Sequence, residues 1–263
     1  MDKKKQLLCC GGLLVAGLCL GSVLLWKVSN FAFGCKETDF SPWTAIETMQ
    51  TVGAENPQEK RVFLTFDDGP SSTTETILQV LKEKDVKATF FVVGAENNVP
   101  HLPLLKTMQE EGHAIALHSY SHDYSKIYSS TAAYWQDIET LLDTISPYLN
   151  KTPTWLRFPG GSSNTVSRKY GGSGLMEKLT QQAEEKGYHS LDWNVSAEDA
   201  VGKRKSPDTI LQNIIKESKG KNTCIVLMHD TKATKSTAEA LPAIIDWYKE
   251  QGYRFCTVEQ ENP

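Results

Sequence analysis

Val62-Phe63-Leu64-Thr65-Phe66-Asp67-Asp68-Gly69-Pro70 is an apolar run that ends in two adjacent carboxylates, after which Gly69-Pro70 turns the chain away. A run of this kind reads as a buried strand. In a βα fold, chemistry collects at the C-terminal ends of such strands. The two aspartates therefore mark both an element boundary and a candidate rim of a site.

Working outward from this stretch, strand-like and helix-like segments alternate. Strands are expected at Arg61 to Phe66, Ala88 to Val93, Ala114 to His118, Thr154 to Phe158, Tyr188 to Trp193, Thr223 to His229 and Tyr253 to Val258. Helical patterns lie between them at Thr74 to Lys84, Leu102 to Glu111, Ala132 to Ile145, Leu175 to Lys186, Pro207 to Ser218 and Thr237 to Gln251. Ser72 and Glu75 are spaced as a capping box. Gly112, Gly187 and Gly252 follow helices where left-handed C-caps are expected. The alternation predicts an α/β fold with about seven parallel strands, arranged as a distorted (β/α) barrel rather than an open sheet.

The 263-residue chain carries a formal net charge of −4, which gives no sign of the basic face that phosphate backbones require. No nucleic-acid partner is expected, and no obligate protein partner is indicated. The N-terminus differs from the rest. Lys3-Lys4-Lys5 precedes an uncharged stretch from Leu7 to Trp26, long enough to cross about 30 Å of hydrocarbon as a helix. With the lysines kept in the cytoplasm, residues 1–27 read as a signal anchor and 28–59 as an extracytoplasmic spacer containing Pro42, Gly53 and Pro57. Residues 60–263 are then expected to form the extracytoplasmic domain of a single-pass membrane protein, secreted if a peptidase cuts. Cys224 and Cys256 fall in two expected strands and read equally as a disulfide or as two buried thiols.

The second cluster is His118-Ser119-Tyr120-Ser121-His122, directly after Ala114-Ile115-Ala116-Leu117. Two histidines four residues apart on one side of a helical turn can reach a single metal ion. Asp67 or Asp68, ending another strand on the same rim, can add a third ligand. Two imidazoles and one carboxylate leave positions open for water and substrate, as catalytic sites do. His229 also closes a strand, whereas His101, His113 and His189 read as structural or solvated.

Three more clusters each close a strand: Arg157-Phe158-Pro159-Gly160-Gly161, Asp192-Trp193 and Leu227-Met228-His229-Asp230. Together with the first two, they give Arg61 to Val258 a specific resemblance to the polysaccharide deacetylases of carbohydrate esterase family 4, the NodB-homology domain. The resemblance implies that Asp68, His118 and His122 bind one divalent ion, usually zinc, with cobalt, manganese, nickel and iron(II) as alternatives. It makes Asp67 the general base and Arg157 the residue that pairs with Asp67 and orients it. His229 resembles the general acid, with Asp192 as the carboxylate that raises its pKa. Trp193 and Leu227 would wall the pocket for the acetyl methyl group. The loop holding Pro159 and Gly160 would contact substrate and give a backbone N–H to the oxyanion.

The commonest family pattern has a tyrosine after the proline of this loop, where Gly160 stands here. The run Gly160-Gly161-Ser162-Ser163-Asn164 resembles a version found in bacterial cell-wall deacetylases. The implied activity is hydrolysis of the N-acetyl group of N-acetylhexosamine residues in a surface polysaccharide, with peptidoglycan N-acetylglucosamine foremost. The alternative is deacetylation of chitin oligosaccharides, poly-N-acetylglucosamine or muramic acid, or ester cleavage on acetylxylan, which would use the same catalytic residues. A catalytically silent glycan-binding module is the reading from another class.

Overall fold

The computed structural model describes residues 59–263; the expected membrane segment and spacer lie outside them. Among the described residues no helix is long and apolar enough to cross a membrane.

Eight strands pair in parallel: β1 (Arg61–Asp67), β2 (Thr89–Val93), β3 (Ala114–Ser119), β4 (Trp155–Leu156), β5 (His189–Ser190), β6 (Val195–Ser196), β7 (Thr223–His229) and β8 (Arg254–Phe255). The helices between them are α1 (Thr74–Glu83), α2 (Leu104–Glu110), α3 (Tyr124–Ile127), α4 (Thr131–Ile145), α5 (Arg168–Gly171), α6 (Leu175–Glu185), α7 (Pro207–Ser218) and α8 (Lys235–Glu250). The order across the sheet is β5-β4-β3-β2-β1-β7-β6, and β8 pairs with the start of β1. β5 and β6 are the two ends of this path, so the sheet is a curled half-barrel and the expectation of a barrel holds only in part. The curl is measurable in one side chain. β4 lies three strands from β1, about 14 Å across a flat sheet, yet Arg157, just beyond β4, reaches Asp67 at 2.8 Å.

The sheet is buried on both faces, as a parallel sheet must be. Val62, Leu64 and Phe66 of β1 join the large cluster under the helices, with Ile77 and Leu81 of α1 and Leu241 and Ile244 of α8. The opposite face begins apolar, with Phe63, Phe91, Ala114 and Ala116. With the period of two of a strand, that inner stripe continues as Thr65 and Asp67 on β1 and as His118 on β3. Burying the apolar end of the inner face thus carries its polar end to the C-terminal rim.

Several local expectations are corrected. The Ser72–Glu75 capping box does not form. Instead the Ser71 N–H donates to Thr74 Oγ1 at 2.7 Å and the Thr73 N–H to Ser71 Oγ at 3.0 Å. The three strands expected at Thr154, Tyr188 and Tyr253 shorten to two residues each, because their chains leave the sheet early to build the rim. β6 has no sequence counterpart among the expected elements. Cys224 and Cys256 are free thiols. They lie on opposite sides of β1 and in different apolar clusters, too far apart for the usual Cα separation of about 4.4–6.8 Å across a disulfide. Gly112, Gly187 and Gly252 have φ of +84°, +80° and +75°, the left-handed geometry expected after a helix.

Candidate active site

The rim is built where β1, β3, β4 and β7 end. Asp68 has φ +70°, a left-handed turn that sends its carboxylate away from that of Asp67. Gly69 follows because a Cβ there would collide with the carboxylate of Asp230. Asp230 is wholly buried and accepts from Thr74 Oγ1 at 2.6 Å and Ser71 Oγ at 3.2 Å. Burial pushes its carboxyl up to about 7, against the pull of these hydroxyls. Asp230 thereby fastens the turn after β1 to the end of β7, where its own N–H donates to Asp67 O at 2.8 Å.

Asp68, His118 and His122 present three donor atoms within 4.8 Å of one another. His118 Nε2 stands 3.5 Å from Asp68 Oδ1 and His122 Nε2 stands 3.3 Å from it. The two histidines do not share a helical turn. His118 is in β3, and His122 sits in the bend beyond it with φ +49°, held by its N–H to Ser119 Oγ at 3.0 Å. His118 Nδ1 bonds to Arg157 O at 2.7 Å, which fixes the ring and turns Nε2 toward the group. Burial lowers the His118 pKa, against the raising effect of Asp67 and Asp68, so the imidazole is neutral, as a metal ligand must be. Asp68 Oδ1 is buried without a hydrogen-bond partner. An orphaned carboxylate oxygen facing two imidazoles is costly unless a cation completes it, so this trio fits a divalent metal ion.

Asp67 lies beside the trio with its two oxygens in different circumstances. Oδ1 accepts from Arg157 at 2.8 Å. Oδ2 is 3.8 Å from His118 Nε2 and accepts no hydrogen bond among the described residues. Arg157 is wholly buried and bonded through each of its three nitrogens: besides Asp67 it donates to Thr65 Oγ1 at 2.8 Å and to the carbonyls of Leu191 and Asp192 at 2.9 and 3.3 Å. Its guanidinium lies 4.1 Å from the Phe91 ring centroid, stacked over the apolar floor of the half-barrel.

His229 arrives on β7 from the other side. The expected partner, Asp192, does not touch it. Asp192 accepts from Ser162 N at 2.9 Å and Ser162 Oγ at 2.5 Å, which pins the glycine loop after β4. The carboxylate beside His229 is Asp199, just after β6. It bonds His229 Nδ1 at 2.8 Å, accepts the His229 N–H at 2.8 Å and takes the Thr237 hydroxyl at 2.7 Å. Burial alone would lower the His229 pKa. The Asp199 hydrogen bond and charge outweigh it, helped by Asp67 and Asp68, and raise the value to about 9. Asp199 is likewise pushed up by burial but held below the ordinary carboxylate value by His229 and Thr237. No motif marked Asp199, because β6 is only two residues long and gives no periodic signal.

Beyond β4, the loop Pro159 to Asn164 is held from several sides. Tyr128 donates to Pro159 O at 2.7 Å, and Asn164 Nδ2 donates to Gly161 O at 2.9 Å. Gly160 is exposed, and its N–H donates to nothing among the described residues. Trp193 packs against Gly161, and Leu227 lies buried in β7. Next to the trio opens a cleft of about 680 Å³ lined by Asp68, Ser71, Ser72, Asn97, Asn98, His101, Thr231, Lys232 and Ala233. His101 therefore borders the site, although the sequence placed it outside. His113 is buried and accepts from the Ala88 N–H at 3.2 Å, and burial lowers it to about 4. His189 is exposed on β5.

Comparison with known proteins agrees with this geometry. The family model described as polysaccharide deacetylase matches residues 54–173. A peptidoglycan-N-acetylglucosamine deacetylase of Bacillus cereus is 33% identical over 79% of this chain and 72% of its own. The catalytic domain of a peptidoglycan N-acetylglucosamine deacetylase from Eubacterium rectale superposes with a TM-score of 0.75 at 36% identity, covering 81% of this chain and 95% of that one. A polysaccharide deacetylase of Bacillus cereus superposes with a TM-score of 0.66 at 32% identity, over 78% and 96% of the two chains. With the five motifs assembled on one rim of the same fold, the chain belongs to the polysaccharide deacetylase family.

Proposed function

We propose that this chain removes the acetyl group from N-acetylglucosamine residues of peptidoglycan, giving acetate and a free amino sugar. The observation that carries the reading is the division of labour around the orphaned Asp68 oxygen: a free carboxylate oxygen on one side and a doubly anchored imidazolium on the other. A divalent ion held by Asp68, His118 and His122, with zinc as our assignment, supplies Lewis acidity toward the acetamide and lowers the pKa of water at the site.

The side chains then account for each proton. Asp67 Oδ2, left free because Arg157 holds Oδ1, takes the proton of the attacking water. As the new C–O bond forms and the C–N bond breaks, His229 Nε2 gives its proton to the departing nitrogen, so the sugar leaves as an amine. Asp199 on Nδ1 fixes the tautomer and keeps the imidazole charged until that moment. Trp193 and Leu227 offer an apolar wall to the acetyl methyl group. The Gly160 N–H is free to donate to the acetamide oxygen as charge develops on it.

Peptidoglycan is favoured over the other N-acetylated glycans by two features. The curated relative and the solved structure with the highest agreement quoted above bear that substrate in their names. The cleft beside the site carries Lys232, whose ammonium makes no ion pair among the described residues and suits the carboxylates of a peptide-bearing sugar. We further infer that residues 7–26 anchor the enzyme with its catalytic domain facing the wall; their length, lack of charge and preceding lysines support this. The test is acetate release from purified peptidoglycan, with chelator and with zinc or cobalt restored. Metal-restored release supports the proposal. A protein that binds metal and glycan yet releases no acetate from any N-acetylated polymer would instead be the silent module.

A further inference from the structure

Gly160 has φ +79°, and the space above it is taken. A Cβ built there would lie 2.7 Å from the Tyr124 hydroxyl and 3.4 Å from Asn164 Cβ. Tyr124 opens α3, the short helix after His122, and Asp123 caps that helix by accepting from the Ser125 N–H at 3.0 Å. The ring of Tyr124 stands edge-on to His122 at 5.7 Å and to Tyr128 at 5.5 Å. The phenol therefore bridges from a residue of the metal trio to the loop with the free Gly160 N–H. Its hydroxyl makes no hydrogen bond among the described residues, although the side chain is half-buried. Two carbonyls of the glycine loop already accept hydrogen bonds, Pro159 O from Tyr128 and Gly161 O from Asn164. A half-buried phenol held on both sides of its ring, with an idle hydroxyl, is a donor waiting for an acceptor that the protein does not supply.

We propose that the Tyr124 hydroxyl contacts substrate as a second donor to the acetamide oxygen, acting beside the Gly160 N–H. The proposal rests on the deacetylase reading above. It also gives the glycine a reason: any side chain at position 160 would displace this hydroxyl. The ring that the loop lacks at position 160 is supplied from α3.

The test is the metal-loaded enzyme carrying Tyr124→Phe, which keeps the ring contacts and loses only the oxygen. Loss of one oxyanion donor lowers kcat by about 100-fold. We expect that loss with KM within about twofold of the parent, full metal content and an unchanged thermal midpoint. Gly160→Ala, which pushes the hydroxyl aside, should lower kcat similarly. The double variant should be no worse than the poorer single one, because both act on one contact. An activity-independent readout is binding of acetate to the zinc-loaded protein, whose oxygen would accept from Tyr124; Tyr124→Phe should weaken it by about tenfold. Unchanged kcat, a rise in KM with kcat intact, or loss of metal from Tyr124→Phe would each overturn the proposal. So would equal acetate affinity in the two proteins. A parent that binds acetate through Tyr124 but releases none from any glycan would sink the deacetylase reading and leave the donor assignment standing.

Discussion

Replacing Asp199 by Asn isolates the one catalytic contact that the sequence motifs misassign. In the folded protein His229 titrates at about 9 instead of the ordinary 6.5, a difference worth roughly 3 kcal/mol. Burial works against that rise, so the favourable share of Asp199 and the other carboxylates is larger than the net. With Asn at 199 the hydrogen bond to Nδ1 can persist but the charge is gone, and the imidazole should titrate at or below 6.5. An acid of pKa 9 is about 90% protonated at pH 8, and one of pKa 6.5 about 3%. The variant should therefore lose up to about 30-fold in kcat at pH 8 while staying within about twofold at pH 6. A divalent ion on Asp68 weakens the help that His229 draws from Asp67 and Asp68, so the alkaline limb of the loaded parent lies below 9. Its displacement between parent and variant is the quantity to measure.

The assay is the kcat–pH profile of acetate release between pH 5.5 and about 9.5, with enough metal to saturate the site. The pair has a stability signature of the same sign. Because the folded pKa lies above the unfolded one, its contribution is fully present below 6.5 and disappears as pH rises through about 9. The thermal midpoint of the parent should thus fall toward that of Asp199→Asn as pH rises through this window. An alkaline limb that stays in place in Asp199→Asn but moves in Asp192→Asn would refute the pairing.

Three further outcomes follow from the geometry. Asp67→Asn should keep one metal per chain and lose turnover, whereas His118→Ala should lose the metal; elemental analysis beside the acetate assay separates the two. Gly69→Ala forces a methyl group into the buried Asp230 carboxylate and should destabilise the fold by about 1–3 kcal/mol, read as a lowered denaturation midpoint. Lys232→Ala should raise KM on peptidoglycan fragments several-fold and leave chitin oligosaccharides unaffected, and equal effects on both would remove Lys232 from substrate choice.

The alternation of apolar strands and amphipathic helices is a local property, so β1, β3 and β7 and the helices behind them were legible along the chain. The same holds for the residues at the ends of β1, β3, β4 and β7: Asp67, Asp68, His118, Arg157 and His229 were named from motifs and all stand on one rim. What the chain could not show is what curvature brings together. The curl of the half-barrel carries Arg157 across three strands to Asp67. It also places Asp199, beyond a strand too short to read, against His229, and leaves Asp192 to hold Ser162. The free state of Cys224 and Cys256 and the meeting of Tyr124 with Gly160 are decisions of the same kind. Residue type and period depend on neighbours a few positions away, whereas a hydrogen bond between residues thirty or more positions apart depends on how the sheet bends, and packing of the whole core sets that bend.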